Sequence, residues 1–94
     1  MITLGEKLND LRMELWTREL RAGGTRTSTL EKIGRATGMS ASIISSYERN
    51  EKKASFANVA SLAQFYNVSL DLFAGLSNEP VNMETHIIQR KTGL

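Results

Sequence analysis

Leucines recur at helical spacing at the start of the chain. They follow one another at steps of four, three and four residues: Leu4, Leu8, Leu11 and Leu15. This spacing places them on one stripe of an α-helix. The pair Gly23-Gly24 ends that helix, because glycine is poor inside helices and favourable at their C-terminal caps. The pattern therefore predicts a first helix that ends before residue 23.

A second amphipathic segment follows the polar loop TRTST. Either Ser28 or Thr29 can cap its helix, and Ser28 has Glu31 at the capping-box spacing. Gly34 lies on its inner side, where the lack of a side chain would let a second helix cross very closely. Gly38 ends the segment, because glycine can adopt the left-handed conformation that turns the chain sharply.

A third helix is predicted over residues 41–49, with Ser40 as its cap. Ile44 and Tyr47 are three residues apart and share its inward face. The other face carries small residues: Ala41, Ser42, Ser45 and Ser46. Helix, glycine turn and helix over some 20 residues form a helix-turn-helix.

Two further helices complete the pattern. Ser55 can cap a helix with a broad apolar face that ends near Asn67, and Ser69 can cap a short last helix that Gly75 ends. Five helices thus fill residues 4 to about 75, and the pattern contains no convincing alternating strand. We expect an all-α fold with a domain over residues 1–76 and a tail over residues 77–94.

Composition narrows the possible chemistry. The 94 residues include no cysteine and one histidine, His86, so no thiolate site exists and a zinc site would be poor. No glycine-rich phosphate loop and no set of catalytic residues is recognisable, so we expect neither an enzyme nor a cofactor or metal. No apolar run approaches the roughly 20 residues of a membrane span, and no secretory signal opens the chain. We expect a cytoplasmic protein without a membrane partner.

Positive charge is concentrated in the first part of the chain. Residues 1–54 hold ten basic and seven acidic residues, a net charge of +3, whereas residues 55–94 have a net charge of −1. This asymmetry is compatible with a face that binds a polyanion, and equally with an ordinary solvated surface.

The segments LGEKLNDLR and LEKIGRATGMSASIISSYERNEKKASFANVASLAQFYNVSLDLF resemble the helix-turn-helix domain of Cro/cI-type phage repressors and the related Xre-type bacterial regulators. The resemblance covers about 70 of the 94 residues. It implies a compact five-helix, lambda-repressor-like domain, and a transcriptional regulator, most simply a repressor, that inserts helix 41–49 into the major groove of double-stranded operator DNA.

The resemblance also implies which residues contact DNA. Small side chains let a helix backbone come close to base edges, which gives a groove-contacting set: Ser40, Ala41, Ser42, Ser45 and Ser46. Residues around that helix would hold backbone phosphates: Arg12, Arg21, Arg26, Thr29, Lys32, Arg49, Asn50, Lys52 and Lys53. Because residues 41–46 include no Arg, Gln or Asn, we expect selectivity from close fit, methyl contacts, DNA shape and dimer spacing.

Two positions depart from the family pattern. The residue that opens the second helix is often a glutamine that bonds to the DNA backbone, whereas Leu30 stands here, so Thr29 or Lys32 would replace that contact. An insertion near residues 17–28 lengthens the first helix and its connection. This insertion is either a solvent-exposed extension or a place from which Arg21 and Arg26 reach flanking phosphates.

Partners follow from the resemblance as well. One such domain contacts a half-site, so a homodimer on DNA is expected, with half-sites about 34 Å apart. The tail could pair as a strand across the two-fold axis, pack on its own domain or fray. The exposed faces of the last helices are another dimer candidate. An alternative function is an antitoxin that binds a toxin and its own operator, and a small antirepressor is a further possible partner.

Overall fold

The computed structural model describes residues 2–80, and these form four α-helices and one 3₁₀ helix. The bounds are α1 Leu4–Ala22, α2 Leu30–Thr37, α3 Ala41–Glu48, α4 Phe56–Tyr66 and the 3₁₀ helix Leu70–Phe73. The all-α prediction is confirmed. The count of five helices is slightly off, because the last segment has room for only one turn between its cap, Ser69, and Gly75. The predictions for the tail beyond residue 80 lie outside the described residues.

Hydroxyl side chains cap every N-terminus. The capping residues are Thr3, Thr29, Ser40, Ser55 and Ser69. Of the two candidates for α2, Thr29 is the cap, since its hydroxyl accepts a hydrogen bond from the Lys32 amide. Ser28 is instead 2% exposed, and its hydroxyl has no hydrogen-bond partner within residues 2–80. The α1 terminus at Gly23 agrees with the glycine pattern.

The core is formed by buried apolar residues from every described helix and from the loop before α4. Its buried apolar residues are Leu4, Leu8, Leu11, Ile33, Ile44, Tyr47, Ala54, Leu62, Ala63, Tyr66 and Phe73. α1 contributes to this core only through its first half, because residues 16–18 and 20–27 are all exposed. The helix-turn-helix therefore packs against the first three turns of α1, and the rest of α1 extends past it.

The segment after the 3₁₀ helix returns to the start of α1. The Leu4 amide donates to the Ser77 carbonyl at 2.8 Å, and Thr3 and Ser77 form an isolated parallel β-bridge. The Asn78 side chain bonds to both backbone groups of Ala54. These contacts attach residues 77–78 to the helical domain and fix both ends of its described part.

Candidate nucleic-acid interface

A tight turn joins α2 to α3 and sets the direction of α3. Gly38 is left-handed, with φ 77° and ψ 20°, and the Met39 amide donates to the Gly34 carbonyl at 2.9 Å. A Cβ on Gly34 would lie 2.4 Å from the Met39 carbonyl oxygen. The close approach at Gly34 is therefore made by the backbone of the turn, and not by a crossing helix as the sequence suggested.

The other end of α3 touches α1 at a second glycine. A Cβ on Gly5 would lie 2.4 Å from the Tyr47 carbonyl oxygen. Only glycine lets the last turn of α3 come this close to α1. Sequence reasoning did not single out Gly5, although a glycine inside a helical pattern costs about 1 kcal/mol relative to alanine and so signals a packing reason.

A largely buried ion pair fixes the same end of α3. The Glu48 carboxylate accepts from Arg12 through Nε at 2.8 Å and Nη2 at 2.9 Å, and from Asn9 Nδ2 at 3.0 Å. The Glu48 side chain is 6% exposed and that of Arg12 is 20% exposed. The hydrogen bonds to Glu48 raise the pKa of Arg12. Arg12 thus holds α3 on α1, and its predicted phosphate contact stays a prediction that rests on the remaining Nη1.

Asn50 turns back to the start of α1. The Asn50 backbone is in the left-handed conformation, with φ 58°. Its side-chain oxygen accepts from the Gly5 amide at 3.2 Å, and its side-chain nitrogen donates to Thr3 Oγ1 at 2.9 Å. Both polar atoms of the side chain thus link α3 to the N-terminus of α1, and its predicted phosphate contact stays a prediction that rests on the second hydrogen of Nδ2.

The outward face of α3 is small and polar. Ser42 is exposed, and Ala41 and Ser45 are half-buried. Ser46 is 7% exposed, and its hydroxyl donates to the Ser42 carbonyl at 2.9 Å. Its position four residues after Ser42 lets the hydroxyl bond to the backbone of its own helix, which weighs against the predicted groove contact of Ser46, and that contact stays a prediction.

The N-terminus of α3 carries its predicted cap. Ser40 Oγ accepts from the Ile43 amide at 3.1 Å, which leaves the first amides of α3 available to an anion. At the other end, Arg49 spans two partners. Its Nη1 donates to Ser45 Oγ at 2.8 Å, and its Nε and Nη2 bind the Glu51 carboxylate at 3.0 and 2.9 Å. This pair raises the pKa of Arg49 and lowers that of Glu51.

Comparison with protein-family models shows which family this chain belongs to. Residues 18–73 match the model of the helix-turn-helix family HTH_3. The chain belongs to this Cro/cI-like, Xre-type helix-turn-helix family. Proteins of the family are DNA-binding regulators, and the matched residues run from the second half of α1 to the 3₁₀ helix. No curated protein and no solved structure matches the chain.

Cations and hydroxyls lie in the loop after α3 and at the start of α2 in this helix-turn-helix domain. Lys52 is exposed, and Lys53 is also exposed in a surface ion pair with Glu79 at 3.1 Å, a kind of contact that is easily given up. At the start of α2, Thr29 is exposed, and Lys32 donates its ammonium to the Arg26 carbonyl. The predicted phosphate contacts of these residues are compatible with their exposure and stay predictions.

The segment near residues 17–28, predicted as an insertion, consists of the last part of α1 and the loop that follows it. The Glu19 carboxylate accepts from Thr27, through its amide and hydroxyl, and from the Ser28 amide. These bonds, that from the Thr27 hydroxyl first, lower the pKa of Glu19 to about 2. The Arg26 guanidinium lies over the Trp16 ring, 5.4 Å from its centroid. Phosphate contact by Arg21 or Arg26 stays a prediction.

Other kinds of site are missing from the described part of the chain. No group of three or more metal-binding side chains lies together within residues 2–80. Over the same residues, no helix combines the length and apolar character that crossing a membrane requires.

Proposed function

We propose that this chain is a sequence-specific repressor that inserts α3 into the major groove of operator DNA. The observation that carries the proposal is the outer face of α3, where Ser42 is exposed, Ala41 and Ser45 are half-buried, and all three side chains are small. A helix about 10–12 Å across fits a groove about 12 Å wide, and short side chains let its backbone approach the base edges. Family membership supports the same site.

Ser42 has the central role in this proposal. It is the exposed residue of the outer face, and its hydroxyl can donate to or accept from a base edge. Ala41 would contact a thymine methyl group, and the free amides at the start of α3 would bind a phosphate. Ser45 is held by Arg49, so it would act with Arg49 as one unit.

Backbone phosphates would be bound on both sides of α3. Lys52 and Lys53 follow it in the chain, and Thr29 and Lys32 start the preceding helix. Because none of these groups identifies a base, they would set register and affinity, whereas α3 and the shape of the DNA would set selectivity. Two copies of the chain would bind two half-sites and thereby block other proteins from the same duplex.

Selection of bound duplexes from a random pool, followed by salt titration of the winner, tests the proposal. We expect two related half-sites about 34 Å apart. Lys52→Ala and Lys53→Ala should each flatten the slope of log affinity against log salt by about 0.9 per phosphate lost. An unenriched pool, with equal binding to all sequences at low salt, would contradict sequence-specific repression.

A further inference from the structure

The outer face of α1 exposes three large apolar side chains. Met13, Trp16 and Leu20 are 41%, 40% and 51% exposed. They follow one another at steps of three and four residues, so they form one stripe, which faces away from the buried stripe of Leu4, Leu8 and Leu11. Single exposed apolar residues are normal, whereas a row of three on one helix face forms a contiguous apolar patch that a partner can cover.

A row of charges follows one side of this stripe in a fixed order. Asp10 and Glu14 come first and Arg18 and Arg21 follow, at steps of four, four and three residues. All four are exposed, and none of them takes part in an ion pair within residues 2–80. The side of the stripe is therefore acidic in its N-terminal part and basic in its C-terminal part.

We propose that a second copy of this chain covers the stripe, with the two α1 helices antiparallel about a two-fold axis. Reversal of direction brings the acidic part of each helix against the basic part of the other, since such an interface joins one patch to itself. Met13 would meet the partner's Leu20, and Glu14 would lie between the partner's Arg18 and the partner's Arg21. In a parallel pair the two rows would lie on opposite sides of the contact and would not meet, so only the antiparallel pair uses their complementary charges.

This inference deepens the proposed function, because it assigns the surface that joins the two DNA-bound copies. One helix from each copy buries less than the roughly 1,200–2,000 Å² of a standard interface, so the pair should be weak when free. Operator DNA with two half-sites would hold both copies close together and so raise their effective concentration. The extension of α1 beyond the core would then serve pairing rather than folding.

The first experiment measures the self-association of the full chain without DNA, by sedimentation equilibrium at low salt. We expect reversible dimers, and Leu20→Ala should weaken them at least about tenfold, because each interface loses two leucine contacts. Phe56→Ala is the matched control, since Phe56 is 76% exposed on α4 and has no comparable row of charges. Dimers that Phe56→Ala dissociates and Leu20→Ala leaves intact would overturn the proposal.

The second experiment reverses charges. Glu14→Arg makes the whole row basic apart from Asp10, and Arg18→Glu makes it acidic apart from Arg21, so each variant alone should be largely monomeric. A mixture of the two variants should form heterodimers, because the two rows are then complementary. Both positions are exposed, and circular dichroism checks that the variants fold. Homodimers in both single variants, or no association in their mixture, would overturn the proposal.

DNA binding is measured separately, so that the two proposals fail separately. The Leu20→Ala chain should still bind a single half-site with unchanged affinity and lose only its advantage on a double site. If the Arg18→Glu variant stays dimeric and its slope of log DNA affinity against log salt is flatter than that of wild type, the row binds phosphates. That result would overturn the pairing proposal. If the wild-type chain forms dimers but binds no DNA of any sequence, the proposed function is overturned and the pairing proposal stands.

Discussion

The first half of α1 lies against α3, whereas its second half lies largely in solvent. In the first half, Gly5 touches the backbone of α3 and Arg12 holds the buried Glu48 carboxylate. In the second half, Glu19 bonds to the following loop and the Arg26 guanidinium lies over the Trp16 ring. Both contacts are near the surface. One helix thus combines a region in which contacts fix the fold with a region in which side chains are available to partners.

This difference separates stability from association. A substitution in the first half either leaves a buried carboxylate without its partner or forces a side chain against backbone. Either change destabilises the folded state, so it should lower the free energy of unfolding. Exposed side chains contribute little to folding, so changes in the second half should leave that free energy almost unchanged and alter what the protein binds.

Arg12→Ala should have the largest effect on stability. It leaves the Glu48 carboxylate, 6% exposed, with Asn9 as its remaining side-chain partner. An uncompensated buried charge costs about 3–5 kcal/mol, and the partial exposure of Arg12 favours the lower value. Urea unfolding measures the loss. The control, Arg18→Ala, removes an exposed arginine of the same helix and should cost less than about 0.5 kcal/mol. Equal losses in the two variants would remove the distinction between the halves.

Gly34→Ala should come next. Its Cβ would lie 2.4 Å from the Met39 carbonyl oxygen, and relief of such a collision costs about 1–3 kcal/mol. Gly38→Ala is the comparison, because its Cβ meets nothing within 4 Å and only the left-handed backbone, φ 77°, is strained. We expect Gly38→Ala to cost about 1 kcal/mol. If unfolding curves show Gly34→Ala to be the milder change, the turn does not approach Gly34 as closely as described.

Glu19→Gln should have the smallest effect, and it should depend on pH. The pKa of Glu19 is lowered to about 2, chiefly by the hydrogen bond from the Thr27 hydroxyl. A lowered pKa means that the carboxylate form is favoured by folding, so its contribution is complete above about pH 4.5 and is lost as the pH falls toward 2. We expect the variant to melt no more than a few degrees below wild type at pH 7, with the two proteins converging by pH 2.

Melting curves of both proteins between pH 7 and pH 2 check this. The difference between them isolates Glu19, because the other carboxylates titrate in both. A difference that stays constant across this range would show that the loop does not depend on the Glu19 carboxylate.

The sequence was sufficient for the helices and the turn. Leucine spacing predicted α1, paired glycines predicted its end, and Gly38 predicted the turn before α3, because each of these signals acts within a few residues. Family resemblance was sufficient for the class of function, since five helical segments and their loops fall in register together and residues 18–73 match the family.

Contacts between distant residues were not predictable in the same way. Asn50 has a side chain that suits DNA contact, yet it bonds to Gly5 and Thr3, 45 and 47 residues away. Nothing local distinguishes this use from an exposed one. Arg12 and Glu48 are likewise 36 residues apart, so their pairing appears only when α3 is placed on α1.

The affinity of the Ser42→Glu variant for the selected operator tests the central claim most directly. Ser42 is exposed near the N-terminus of α3, where a carboxylate suits the helix dipole, so the variant should fold normally. A carboxylate pressed against the duplex should weaken binding by roughly 100-fold or more. Ser46→Ala, a change at the buried serine of the same helix, should bind within about threefold of wild type. Wild-type affinity in Ser42→Glu would contradict the insertion of this face into DNA.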